Sequence, residues 1–497
     1  MKKKYIIGVI VLIVIVLCAG LFYLLTRKNM DYDHSQVKER IERLGKSPAD
    51  FERPEEKWNS IYNTVKNDND NEQEKVVKCD LGRASDINRF LGGITDSSRI
   101  VFSTDTIDVD EPITPGNNQV LDFANVKLNN TMPESEFMAD LLIEGKSNVV
   151  ISNLVIEDAP KYGIYIIDSK DVDIINSSVK NAEIKGLAIM GDNDNFLIDN
   201  VQIENNKDGG AYFDGDVKNG VVENSSFSNN GGASNHSAGL VLSSFEILNK
   251  KTVYNPWKDE LLVDKTKAPN NIVFIGNNIL GNNSSGLYSE AGYCNYFMNN
   301  NIADNDKEGM CLDYASFGNY LSKNTYRSNG WRGRQTDQNL KDDFIYEHGR
   351  LEDGSSPCKV PGLSLDNAAY NTIDNNEFLD NYGSGVKTVR SAFRNTVSNN
   401  RMINNNKGQN KEFHFYGVEL GFAEKPDEPV KGLDFFPSNE NTIISNYIDG
   451  NHYAGIFLAV KCRDNTIRDN TIKNSLYKDI EDISRSRNTI ENNTTEK

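Results

Sequence analysis

The sequence predicts an all-β solenoid, a parallel β-helix with three short strands in each coil, and three observations predict it. The first is a glycine motif written ten times between residues 163 and 460. The copies are Gly163-Ile-Tyr-Ile-Ile, Gly186-Leu-Ala-Ile-Met, Gly210-Ala-Tyr-Phe-Asp, Gly239-Leu-Val-Leu-Ser, Gly286-Leu-Tyr-Ser-Glu, Gly309-Met-Cys-Leu-Asp, Gly362-Leu-Ser-Leu-Asp, Gly385-Val-Lys-Thr-Val, Gly417-Val-Glu-Leu-Gly and Gly455-Ile-Phe-Leu-Ala. The second is spacing: the closest copies lie 23 or 24 residues apart (163 to 186, 186 to 210, 286 to 309, 362 to 385), a period that marks a stacked repeat. The third is alternation. Residues one and three after the glycine are nearly always apolar, the period of a strand with those positions inward and positions two and four outward.

The elements follow in chain order. Met-Lys-Lys-Lys precedes an uncharged apolar run over residues 5–25, and Arg27 and Lys28 follow it. At helical rise such a run spans a bilayer core. The lysines keep its start inside, so residues 1–28 read as a signal anchor and transmembrane helix with the main domain extracellular. A cleaved signal peptide competes, but no small-x-small cleavage site follows the run. Residues 29–78 are polar and charged, with helical patches over 35–44 and 55–65, and read as a stalk. The solenoid domain occupies 79–497. It opens with an amphipathic helix over 85–91 that covers the end of the stack. Strands over 100–103, 106–109, 120–123 and 126–128 come next, and regular coils run from about residue 141.

Each coil carries two further strand signals and a recurring asparagine phrase. Asn371-Thr-Ile-Asp-Asn-Asn returns as Asn395-Thr-Val-Ser-Asn-Asn, Asn441-Thr-Ile-Ile-Ser-Asn, Asn465-Thr-Ile-Arg-Asp-Asn and Asn488-Thr-Ile-Glu-Asn-Asn. Asparagine tolerates the left-handed region and bonds nearby backbone, so it suits tight corners and stacks on its copy one coil away. These phrases and the Gly-Ile-x-Leu strands resemble the right-handed parallel β-helix superfamily, the pectin-lyase-like proteins, over roughly residues 80–495. The resemblance implies a right-handed three-sheet helix and a polysaccharide substrate. It supplies no reaction, since the superfamily holds lyases, hydrolases, epimerases, tailspikes and adhesins. The Gly-His-Gly and Arg-Ile-Lys of polygalacturonases and the Asp-Pro-His of alginate epimerases are absent here, so no catalytic residue carries over by motif.

Composition agrees with an exported β protein. Apolar residues make up 38% of the 497, and 72 acidic against 54 basic residues give a net charge of −18. No basic stripe exists for nucleic acid. The six cysteines show neither CxxC nor metal spacing.

Stacking the glycine strands about 4.8 Å apart aligns the candidate chemistry. The fourth residue after each glycine puts Glu290, Asp313 and Asp366 on consecutive rungs, with Asp214 two rungs earlier. The second residue puts Tyr212 and Tyr288 on the same face, followed by Lys387 and Glu419, with Arg390 just beyond a strand end. By chance about one or two positions in ten would be acidic. Like charges one rung apart repel, so the row suits a bound cation or a protonated acid. A solvated acidic face is the bland alternative. Insertions at 244–270, 330–361, 407–416 and 422–439 rise at the edges of this face and would make it a cleft.

Two readings of the chemistry stand open. In a lyase-type enzyme on a uronate glycan, Lys387 is the base and Glu290, Asp313 and Asp366 hold calcium. In a glycoside hydrolase, or a uronate epimerase, Asp313 and Asp366 act as an acid–base pair. Glu419 and His414, three residues before Gly417, are further catalytic candidates. Tyr212, Asp214, Tyr288, Trp331, Arg332, Arg334 and Arg390 are candidates for holding substrate, the tyrosines by stacking and the arginines by clamping carboxylates. A non-catalytic glycan-binding or structural surface protein is the alternative from another class.

Overall fold

A computed structural model describes residues 35–67, 75–132, 139–232, 237–244, 267–313, 316–330, 360–389, 392–407, 415–421, 438–450 and 452–496. Their strands form three parallel sheets of 15, 14 and 12 strands. Every third strand joins the same sheet, so the chain winds once round for each triplet. The glycine strands make the third sheet, whose order runs without interruption from Ala139–Glu144 to Lys478–Asp482. Register is direct, as in Val149↔Val172↔Phe196 of the first sheet. The predicted all-β, three-sheet parallel architecture is therefore present.

Alternation builds the core. Residues one and three after each glycine, such as Ile164 and Ile166 or Met310 and Leu312, are buried in one continuous interior cluster. Aromatic rings stack within it, Phe274 on Phe297 at 5.0 Å and Tyr326 on Phe378 at 4.7 Å. The glycine itself is required by space. A Cβ on Gly309 would lie 2.7 Å from the carbonyl oxygen of Gly362 on the next rung, and one on Gly286 would lie 2.6 Å from that of Gly309. No side chain fits where successive rungs approach so closely.

The corners are held by buried asparagines in three ladders. One runs Asn277, Asn300, Asn324, Asn376, Asn400, Asn446, Asn470 and Asn493, each Oδ1 accepting from the backbone N–H of the asparagine one rung before. A second includes Asn295, Asn319, Asn371 and Asn395, and a third Asn206, Asn230, Asn282 and Asn305. The Asn-Asn pairs divide the labour. Asn375 and Asn399 take left-handed φ of 56° and 53°, while Asn376 and Asn400 beside them enter the ladder.

The amino-terminal helix of the solenoid, Ala84–Gly92, buries Ala84, Ile87 and Leu91 over the end of the core, as predicted. Within the segment 29–78, the helices α1 (Ser35–Arg43) and α2 (Pro54–Asn67) lie along the solenoid wall. Trp58, Ile61, Tyr62 and Val65 of α2 pack on Leu197, Val221 and Tyr296 of the first sheet, and Tyr62 donates to Glu223 at 2.9 Å.

The expected membrane anchoring needs correction. No helix among the described residues is long and apolar enough to cross a membrane, and the apolar run at 5–25 lies outside them. Neither a transmembrane helix nor the localisation built on it stands as a feature of this structure.

Candidate active site

The outer face of the third sheet carries the predicted columns in register. Glu290 pairs with Asp313 on the next rung, and Ser364, Lys387, Glu419 and Phe457 follow one another across four rungs. Asp366 follows Leu365, the partner of Leu312, and so continues the column of Asp313. Asp214 sits two rungs before Glu290, beyond Ser243.

These outward carboxylates are not solvated. Asp214 and Glu290 are each 2% exposed, and Asp313 and Asp366 each 6%, which excludes a plain hydrated acidic face. At the centre, the Tyr288 hydroxyl lies 3.0 Å from Asp313 Oδ2 and 3.5 Å from Glu290 Oε1. Tyr288 is itself buried, beside Val241 and Cys311. At 3% exposure it offers no open ring for stacking, contrary to the expectation. A phenol has one proton to donate, and the shorter contact assigns it to Asp313.

Two rungs on, Lys387 Nζ lies 3.1 Å from Glu419 Oε1. The other oxygen of Glu419 accepts from Ser384 Oγ at 2.9 Å, and Ser384 in turn accepts from Tyr416 N–H at 3.1 Å. Both expected catalytic groups are thus engaged with each other. On the amino-terminal side, the half-buried Tyr212 ring lies 5.6 Å from Lys185 Nζ. Lys185 is paired with Asp208 at 2.9 Å, and burial lowers its pKa. Nearby Tyr162 is pushed up to about 12, first by burial and then by Asp208 and Asp214.

Sequence reasoning missed Lys185, Asp208 and Ser384. Lys185 and Ser384 directly precede glycines 186 and 385, at a bend where two-residue alternation does not apply. That position was a usable signal. Trp331, Arg332, Arg334, Arg390 and His414 lie outside the described residues, as do most of the four insertions. Among the described residues no group of three or more His, Cys, Asp or Glu side chains is disposed to hold a metal ion. The calcium expected on Glu290, Asp313 and Asp366 is therefore not shown.

Fold and site together define a parallel β-helix whose third sheet bears a buried acidic row. The chain resembles right-handed parallel β-helix proteins, and two family models each match less than half of it. The family described as "Right handed beta helix region" matches residues 139–325, and "Periplasmic copper-binding protein (NosD)" matches 258–412 and 416–497. Copper favours imidazole and thiolate among its donors; among the described residues no three His, Cys, Asp or Glu side chains group to hold a metal, and His452 is buried inside the solenoid next to Asn405. No curated protein matches the chain. Among solved structures, the A-module of the mannuronan C-5 epimerase AlgE6 of Azotobacter vinelandii aligns with a TM-score of 0.55 at 11% identity, covering 84% of this chain and 97% of that one. The AlgE4 A-module of the same organism aligns at 0.51, with 11% identity and the same coverage.

Proposed function

We propose that this protein is a carbohydrate-active enzyme that hydrolyses a glycan across the outer face of the third sheet. One observation carries the reading: two buried carboxyls on adjacent rungs share the Tyr288 hydroxyl. Rungs about 4.8 Å apart put Glu290 and Asp313 near the separation of retaining glycosidases, about 5–5.5 Å. Asp366, two rungs from Glu290, stands about 9–10 Å away, near the upper end of the inverting range.

Proton ownership assigns the roles. Two ionised carboxylates held side by side out of water repel, so the pair keeps a proton. Asp313 accepts the stronger bond from Tyr288 and is the ionised member, the nucleophile that bonds to the anomeric carbon. Glu290 holds the proton and gives it to the leaving glycosidic oxygen. Glu290, now ionised, then takes a proton from the water that releases the sugar from Asp313. Fold relatives named as epimerases of mannuronan accord with a glycan on this surface.

The second reading is a lyase on a uronate glycan with Lys387 as base. Its motivating observation is Lys387 on the rung after Ser364 and Asp366, but its ammonium is ion-paired with Glu419, and an ammonium has no lone pair with which to take a proton.

The test is a panel of neutral and acidic polysaccharides assayed for new reducing ends and for the ultraviolet absorbance of an unsaturated uronate. Reducing ends without that absorbance are expected, and Asp313→Asn should lower turnover about 10²- to 10⁴-fold while retaining glycan binding. Unsaturated product would replace this reading with the lyase. Binding with no product from any glycan would make the protein a lectin-like binder.

A further inference from the structure

The outer face of the third sheet changes character beyond Asp366. Of the twenty outward positions in the ten glycine strands, Lys387 is the single base. It is one-third exposed, whereas Glu419 beside it is 13% exposed. Glu419 is fixed twice, by Lys387 on one oxygen and by Ser384 on the other, and Ser384 is buried and anchored by the Tyr416 backbone. A lysine ammonium has three donors. Glu419 uses one, and the side chain is one-third exposed, so donors remain for a ligand on this face.

Two neighbours complete a binding surface. Ser364 stands in register with Lys387 on the preceding rung, and its hydroxyl is a second donor on the same face. Phe457, in register with Glu419 on the following rung, is half-buried and stacks on Tyr416 at 4.4 Å with an 8° interplanar angle. A rigid aromatic surface next to an oriented cation suits a sugar ring that carries a carboxylate.

We propose that Ser364, Lys387 and Phe457, held by Glu419 and Ser384, form a subsite for an acidic sugar, making Lys387 a specificity-determining residue. This deepens the reading of the third sheet as the glycan-active face. Lys387 lies two rungs from Asp313, about 10 Å along the axis. The substrate class that follows is a uronate-containing polysaccharide whose recognised acidic residue lies about two rungs from the reacting position.

The experiment uses the full chain with polygalacturonate, alginate and hyaluronan, each in native form and with its carboxyl groups chemically reduced to alcohols. Retention by affinity electrophoresis reads binding alone. The wild type should bind at least one native polymer about tenfold or more tightly than its reduced twin, the effect of one charge-assisted hydrogen bond. Lys387→Met should erase that preference while keeping binding to the reduced polymer, and Lys387→Arg should restore much of it. Asp313→Asn should leave the preference intact, so a failure of the hydrolase assignment is seen separately as unchanged turnover. Equal retention, or none, on all three native–reduced pairs would overturn the subsite. So would a Lys387→Met protein that melts normally and keeps the preference.

Discussion

Asn324 and Asp313 belong to neighbouring segments of one coil; both are polar and both are buried, yet their partners differ in kind. Asn324 Oδ1 accepts from the backbone and side-chain amides of Asn300, and its own amides donate to Asn376 and to the Phe297 carbonyl. Its side-chain partners are copies of itself, one rung either way. Asp313 meets a tyrosine and stands in a column that runs Ser243, Glu290, Asp313, Asp366 and Val389. A polar group satisfied by its own repeat has a role in the scaffold. Where the repeat stops copying itself and still buries charge, the proposed function gives the residue a chemical role.

The largest effect should come from breaking the ladder. Asn324→Leu removes the acceptor for two buried donors of Asn300 and strands the Phe297 carbonyl. Each orphaned group costs about 1–3 kcal/mol, so the loss is several kcal/mol. Thermal melting should fall steeply, with the coils around 300–376 losing hydrogen-exchange protection first, since each repeat leans on its neighbours. An unchanged melt would remove the distinction between ladder and site.

A smaller and opposite signature is expected at the carboxylates. Tyr288→Phe deletes one hydroxyl and leaves the ring packed against Val241 and Cys311. Turnover should drop about 10- to 100-fold, with the pH profile displaced because the group that shares the proton has changed. The melt should move little. Equal turnover in the variant would show that the phenol only fills space.

Much of this contrast was legible in the sequence. In a solenoid, spacing dictates register, so a 23-residue step was enough to place Glu290 against Asp313, and the repeated glycine motif aligned Lys387 with Glu419 across a longer coil. The asparagine corners were legible for the same reason. What stayed hidden depends on contacts that no period encodes. The burial of the acidic row is one such feature, and so is the tie from Ser384 to Glu419 across 35 residues of chain. Lys185 escaped because it precedes its glycine at the bend, outside the alternating columns. The lodging of α2 on the first sheet rests on Trp58, Ile61, Tyr62 and Val65, a stripe that indicates a buried face without saying which surface covers it.

One place in the interior departs from the ladder rule, and it yields the finest test. Below Asn405, in the ladder of Asn329 and Asn381, the ring of His452 receives the Asn405 amide on Nε2 at 3.3 Å. The ring proton then sits on Nδ1, which is buried without a hydrogen-bond partner among the described residues. Burial pushes the imidazole pKa from 6.5 down to about 4, against a smaller opposing pull from Asp449. The sign follows directly. Unfolded chain takes up a proton below pH 6.5, whereas folded chain refuses it until about pH 4, so stability is fully present above 6.5 and falls through that window. Asp140, whose carboxyl burial raises to about 7, runs the other way: its folded form holds a proton that the unfolded form releases, so it favours folding as the pH drops. Only the difference between variant and wild type therefore isolates His452. His452→Gln keeps an acceptor for Asn405 and cannot ionise. Its melting temperature should fall less than that of the wild type between pH 6.5 and 4, while the two differ little in slope above 7. Parallel curves throughout would show that this histidine behaves as one more satisfied corner of the ladder.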